Sequence, residues 1–324
     1  MAIGSKSTDR RPEEFTLMST LPAFLALVLS PVALQDQEGP TPIVATDEKV
    51  QKLVGGFRFV EGPAWLPGGS LLFSDIPANR IYRWEPGATE ASVFLEDSQG
   101  ANGLVVDARG RLYACLGKGR KVLRLDPAKP EERTVLADAF AGRKLNSPND
   151  LALDGQGGLF FTDPRFGSMD GVEQDVMAVF YTDGREIRRV VNNLTRPNGI
   201  LVSIDAKTLY VADADRRRIH SFVIRETGKL GANKVLFTGD EKIDGGGSDG
   251  MALDERGNLW TTYRSIVVLR PDGTLLQRIP TPENPANCIF GGPDGKTLFI
   301  TARTGLYALK TQVKGAPVKA FGGE

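Results

Sequence analysis

Residues 149–163 read Asn149-Asp150-Leu151-Ala152-Leu153-Asp154-Gly155-Gln156-Gly157-Gly158-Leu159-Phe160-Phe161-Thr162-Asp163. A polar residue opens the phrase, an apolar strand follows, and a turn rich in Asp and Gly leads into a second apolar strand. The phrase recurs, starting at Glu61-Gly62-Pro63-Ala64-Trp65, Asn102-Gly103-Leu104, Asn198-Gly199-Ile200, Asp249-Gly250-Met251 and Asn287-Cys288-Ile289. Successive starts are 41, 47, 49, 51 and 38 residues apart. Third strands are visible as well, for example Arg80-Ile81-Tyr82-Arg83-Trp84 and Lys121-Val122-Leu123-Arg124-Leu125. About four short strands per repeat, at a period of roughly 40–50 residues, is the pattern of a propeller blade. Six repeats predict an all-β, six-bladed β-propeller over residues 45–318. Its ring is expected to close by pairing the segment near Val50-Gln51-Lys52-Leu53-Val54 outside Gly305-Leu306-Tyr307-Ala308-Leu309. A β-sandwich, or two smaller β domains, would not repeat the polar start.

Composition agrees with that reading and narrows the chemistry. Gly and Pro supply 57 of 324 residues, about 18% where roughly 12% is usual, an excess that favours turns and short strands. Forty basic residues balance forty acidic ones, so the chain has no net field for nucleic acid or an anionic membrane. A single histidine, His220, excludes His-rich zinc sites and His dyads, and two cysteines, Cys115 and Cys288, are too few for a four-cysteine site. The two cysteines could pair, which sequence does not decide. Leu21 to Leu34 is a short apolar run ending in small residues before Gln35-Asp36-Gln37, which has the shape of a secretory h-region. Residues 1–36 are read as an N-terminal extension with a signal peptide, with Met18 a candidate start. The expectation is an exported protein, periplasmic or secreted, without a membrane span in the mature chain. A buried N-terminal helix or a membrane anchor is the alternative.

In a propeller the innermost strands line the channel, so the six polar starts converge near one mouth: Glu61, Asn102, Asn149, Asn198, Asp249 and Asn287. An Asn at a strand start is also an ordinary turn residue. Two carboxylates among four carboxamides, however, make a hard, all-oxygen ligand set that suits Ca²⁺. Mg²⁺, Mn²⁺ or Zn²⁺ stand as substitutes, although zinc favours His and Cys.

The phrases Glu61-Gly62-Pro63-Ala64-Trp65, Phe73-Ser74-Asp75, Ser147-Pro148-Asn149-Asp150, Thr162-Asp163-Pro164, Pro197-Asn198-Gly199 and Asp249-Gly250-Met251 together resemble the regucalcin/gluconolactonase (LRE-like) family. Ala286-Asn287-Cys288 and Thr301-Ala302-Arg303-Thr304-Gly305 are similar to its bacterial gluconolactonase branch. The resemblance runs from about residue 55 to 310. It implies a six-bladed propeller with a catalytic divalent ion, usually calcium, held by Glu61, Asn149, Asn198 and Asp249. It also implies a small-molecule lactone as substrate. Squid-type fluorophosphatases have a similar ligand pattern, which keeps phosphotriester hydrolysis open beside a non-catalytic, metal-stabilised binding propeller. One departure stands out: relatives often continue Ala-Cys with a Glu-His pair, and here Ala114-Cys115 is followed by Leu116-Gly117.

These expectations assign roles. Asp249 is the first choice for general base and Asp163 the reserve, although Asp163 before Pro164 is equally a strand-end turn residue. Asn102 and Arg303 are candidates for binding substrate at the mouth, with a turn role and a surface salt bridge as their respective alternatives. Gly246-Gly247-Ser248-Asp249-Gly250 matches G-x-S-x-G, but that motif needs a strand before and a helix after it. His220 is read as a surface or edge residue.

Overall fold

The computed structural model describes residues 11, 12, 42–319 and 321. The leader expected over residues 1–36 lies outside these apart from residues 11 and 12. Among the described residues, no helix is long and apolar enough to cross a membrane.

Six four-stranded antiparallel sheets follow one another along the chain, and each begins at one of the phrases found in the sequence. The inner strands are Val60–Trp65, Ala101–Val106, Leu151–Leu153, Pro197–Val202, Met251–Leu253 and Pro285–Gly291, which define blades 1 to 6. In blades 1 to 5 the fourth strand comes from the same repeat. In blade 6 it is Gln51–Gly55, from the start of the described chain, antiparallel to Gly305–Lys310 with Gln51 opposite Ala308 and Gly55 opposite Gly305. The two ends of the propeller are thus joined by main-chain hydrogen bonds, as the sequence predicts.

The blades hold together through six apolar cores, one at each junction. Leu112–Leu116 shows how the two-residue period of a strand serves two of them. Leu112, Ala114 and Leu116 enter the core shared with blade 1, while Tyr113 and Cys115 enter the core shared with blade 3. Every residue of this strand is therefore buried, and it reads as an unbroken apolar run. The last junction, between blades 6 and 1, is closed by Val54, Leu306 and Phe299 against Val60, Phe73 and Trp84. Cys115 and Cys288 lie in different cores and are both free. His220 is buried rather than exposed, its ring stacked on Phe222 at 6.2 Å. The blade core reaches further toward the edge than the run of arginines before it suggests.

The repeated Asp-x-x-Gly turn has a structural cause. Asp154 Oδ1 accepts from the N–H groups of Gln156 and Gly158, while its Oδ2 accepts from Tyr181 Oη at 2.9 Å. Asp254 likewise accepts from Arg256, Asn258 and the Trp260 indole, and Asp107 from Arg109, Arg111 and Tyr113. Each carboxylate shapes a turn with one oxygen and anchors an aromatic ring with the other.

The starts of the inner strands approach to main-chain contact. A Cβ on Gly62 would lie 2.0 Å from Asn102 O, and one on Gly199 would lie 2.0 Å from Asp249 O. Gly103 N–H donates to Asn149 O at 2.7 Å, and Gly250 N–H to Ala286 O at 2.8 Å. Hydroxyls on the second strands add further links between blades. Ser74 Oγ donates to Asn102 O, Thr162 Oγ1 to Asn198 O and Thr262 Oγ1 to Ala286 O, at 2.7–2.8 Å.

At the opposite mouth the inner strands end in apolar residues around a cavity of about 180 Å³. The segment after the last strand crosses this mouth. Ala316 N–H donates to Leu253 O, Lys319 Nζ donates to Ile204 O, and Phe321 packs on Tyr113. Blades 5, 4 and 2 are tied in turn.

The close approach at the axis predicts that Gly199→Ala lowers stability by about 3 kcal/mol, since the main chain it would strike has nowhere to go. Gly68→Ala, with open space around it, should stay within about 0.5 kcal/mol of the parent in urea unfolding. Equal stability of the two variants would refute the axial constraint.

Candidate active site

Each inner strand presents its opening polar residue at the same mouth, and the glycine after it lets the neighbouring strand close in. Blades 3 and 6 depart from this by placing Asp150 and Cys288 where the others have glycine. Asp150 fits because its partner across the junction is Gly103, where a Cβ would lie 2.4 Å from the Asp150 carboxylate. The sequence reading passed over Asp150, and the signal that finds it is this single acid in a column of glycines.

Glu61, Asp150 and Asp249 consequently share one poorly solvated space. Burial pushes the Glu61 carboxyl well above the usual range, and the negative charges of Asp249 and Asp150 push it further. Burial, then Asp150, raises Asp249 to about 7, and burial raises Asp150 to about 7 as well. The Asn287 side chain offsets part of the rise at Glu61 and Asp150, and that of Asn198 does so at Asp249. Asn287 Oδ1 itself accepts from Cys288 N–H at 2.8 Å.

The amide oxygens test whether a cation fits here. Asn198 is 5% exposed, and its Oδ1 is buried with no hydrogen-bond partner. An orphaned carbonyl oxygen beside buried carboxylates with raised pKa values is an arrangement that a hard cation relieves. Asn149, also buried, uses its main-chain N–H on Thr162 O, and its side chain makes no hydrogen bond within the described chain. Among the described residues, no three His, Cys, Asp or Glu side chains lie close enough to hold a metal by themselves. A cation at this mouth would therefore depend on the amide oxygens as well as on Glu61 and Asp249.

The other sequence candidates separate. Asp249 and Arg303 line one open cavity of about 230 Å³ together with Phe59, Tyr263, Arg264 and Asn284. Among the described residues Arg303 forms no surface salt bridge; its guanidinium rests over the Phe59 ring, 5.6 Å from the centroid. Asn102 stands at the inner start of blade 2, where its carbonyl accepts from Ser74. Asp163 is fully buried, with Oδ2 accepting from Asn146 N–H and Oδ1 from Ser147 N–H, both at 2.7 Å. Asp75 holds Arg58 and Phe59 in the same manner, and Asp213 holds Thr195 and Arg196. All three acids end a second strand and fix the loop that leads into the inner one, so the geometry gives Asp163 a positioning task behind Asn149.

The G-x-S-x-G match has the wrong surroundings. A four-residue helix, Glu241–Asp244, precedes it and the strand Met251–Leu253 follows, while Ser248 Oγ is buried against Thr261 Oγ1 at 2.7 Å. The departure at Leu116-Gly117 is also explained. Leu116 belongs to the core between blades 1 and 2, and Gly117 N–H donates to Gly100 O.

Replacing Asp163 with Asn would turn one acceptor into a donor facing a main-chain N–H, at a cost of about 1–3 kcal/mol. Asp163→Asn is thus expected to unfold at lower urea, in step with Asp213→Asn. A fully stable but inactive Asp163→Asn would instead make Asp163 a catalytic base.

Residues 59–304 match the model of the SMP-30/Gluconolactonase/LRE-like region. The gluconolactonase of Zymomonas mobilis is 32% identical over 313 residues, covering 87% of this chain and 84% of that protein. The solved gluconolactonase of Xanthomonas campestris superposes with a TM-score of 0.74 at 30% identity, over 83% of this chain and 94% of that one. The calcium-binding protein regucalcin from Agrobacterium tumefaciens, at 19% identity and a TM-score of 0.68 over 83% and 98%, shares the fold. With six blades in order and acids and amides at the mouth where the repeats predict them, the chain belongs to the SMP-30/gluconolactonase/LRE-like family.

Proposed function

We propose that this protein is a divalent-cation-dependent hydrolase that opens a lactone, a sugar lactone of the gluconolactone type, with calcium as the ion. The observation that carries the reading is the orphaned Asn198 Oδ1, buried beside Asp249 at a mouth that opens into a cavity large enough for a small substrate. The gluconolactonase names of the relatives support the reaction, and the calcium-binding regucalcin supports the choice of ion. Export remains the expectation from the apolar run at residues 21–34.

Glu61, Asn149, Asn198 and Asp249 are the residues that would hold the cation. When bound, such an ion supplies Lewis-acid polarisation of a carbonyl oxygen. The chain's own contribution is positional and acid–base. Asp249 takes the proton of the water that attacks the carbonyl carbon, its carboxylate oriented between Glu61 and Asn198. Burial and Asp150 make Asp249 a stronger base than an exposed aspartate, and a cation on the same carboxylate pulls that basicity back down. Asp163 fixes the loop that delivers Asn149, and Asn102 and Arg303 meet the substrate's polar groups at the rim.

Acid release from glucono-δ-lactone and from a simple aliphatic lactone tests the proposal. EDTA treatment is expected to remove turnover and calcium to restore it. Calcium at about one hundred times its dissociation constant should also add about 2.7 kcal/mol of stability. Asp249→Asn should lose turnover while remaining folded. A calcium-bound, folded protein that opens neither lactone would overturn the reading. Phosphotriester cleavage by that same protein would assign the site to organophosphates, and its absence would leave a binding propeller.

A further inference from the structure

We infer that the preferred lactone carries a second, anionic group, a carboxylate or a phosphate, and that Arg303 and Arg264 select it at the mouth. This rests on the lactone-hydrolase reading and adds the substrate class.

The cavity beside Asp249 is rich in donors and poor in acceptors. Asp249 is the one carboxylate in its lining, and the proposed ion would claim it. Facing it are two guanidinium groups, Arg264 and Arg303, and the amide of Asn284. Gly246 and Gly247 also line the space, and neither main-chain N–H has a partner among the described residues. Tyr263 Oη uses its proton on Arg217 O. A neutral sugar lactone would leave much of this donor capacity unanswered, whereas a carboxylate or phosphate answers it with charge-assisted bonds.

Nearby arginines throw Arg303 into relief. Arg196 pairs with Asp215 at 3.2 Å, Arg217 with Glu241 at 3.3 Å, and Arg278 with Asp244 at 2.7 Å. Arg165 donates to three main-chain carbonyls. Arg264 gives one bond, to Lys242 O at 3.2 Å, and keeps donors in reserve. Arg303 gives none among the described residues, its guanidinium lying over the Phe59 ring. Its backbone is left-handed, with φ of 43°, a conformation that suits Gly or Asn better than Arg. Arg120 and Arg217 are left-handed as well, and their side chains tie down carbonyls and acids. At Arg303 the same conformational cost supports a guanidinium with no acceptor among the described residues, lining the same cavity as the reacting carboxylate.

The test compares kcat/KM on three calcium-supplemented lactones: neutral glucono-δ-lactone, carboxylate-bearing glucaro-lactone and 6-phosphoglucono-δ-lactone. One of the charged substrates is expected to exceed the neutral one by about tenfold, a ratio that falls severalfold in Arg303→Asn and with added salt. Which of the two leads identifies the anion. Asn suits the left-handed backbone, so the variant keeps the fold. Calorimetric binding of open-chain glucarate and 6-phosphogluconate, to parent and variant, reads the same selection without turnover. Turnover favouring the neutral lactone, with binding indifferent to Arg303, would overturn the inference and leave the hydrolase reading intact. Arg303-dependent binding of an anion without turnover of any lactone would overturn the hydrolase reading and keep the anion site. Failure of both measurements would overturn both.

Discussion

Six strand starts must reach one axis without colliding, and the rest of the molecule follows from that crowding. Where Gly62, Gly199 and Gly250 stand, a single methyl group would overlap the carbonyl or side chain of the next blade. Glycine removes the obstacle, and main-chain and hydroxyl hydrogen bonds then link the inner strands of neighbouring blades. Blade 3 uses the space differently. Opposite the bare Gly103 it admits the carboxylate of Asp150, which gives the mouth a third acid beside Glu61 and Asp249.

The acids of this protein fall into three sets by their place along the blade. Asp107, Asp154 and Asp254 shape the turns after the inner strands, and Asp75, Asp163 and Asp213 fix the loops before them. In both sets main-chain N–H groups satisfy the carboxylate within the protein. Burial raises Glu61, Asp150 and Asp249 as it raises Asp163, but Glu61 and Asp249 differ because the charges of neighbouring carboxylates add to the rise, Asp150 at Asp249 and both of these at Glu61. A chain spends such instability where a ligand relieves it, and the unpartnered oxygen of Asn198 points to the same relief.

The two ends of the channel divide the labour. At one end apolar strand ends are crossed by the chain after the last blade, which ties blades 5, 4 and 2 together. At the other, beside the polar starts, Asp249 opens into a cavity rimmed by Arg264 and Arg303. The proposed lactone chemistry belongs to this polar mouth, whose rim carries donors. The closing pairing of Gln51–Gly55 with blade 6 brings Phe59 against Arg303, a residue more than two hundred positions further along the chain.

Fold and family were legible because a propeller repeats a short-range pattern. Apolar alternation, the Asp-Gly turn and the polar start each act within one hairpin, and local physics suffices to read them six times. The closing strand was legible too, as an apolar segment left over after six repeats. The same count placed Glu61, Asn149, Asn198 and Asp249 at the starts of inner strands. What the sequence by itself determined was this register: which residues begin each blade and which acids stand among the amides. Tertiary structure alone decided what the acids do. Asp163 and Asp249 look alike in sequence, yet one is surrounded by N–H donors and the other by carboxylates. Asp150 carried no assigned role until the glycine across the junction was seen to make room for it. Those distinctions arise between blades about fifty residues apart, where desolvation and charge sum over neighbours that no local pattern records.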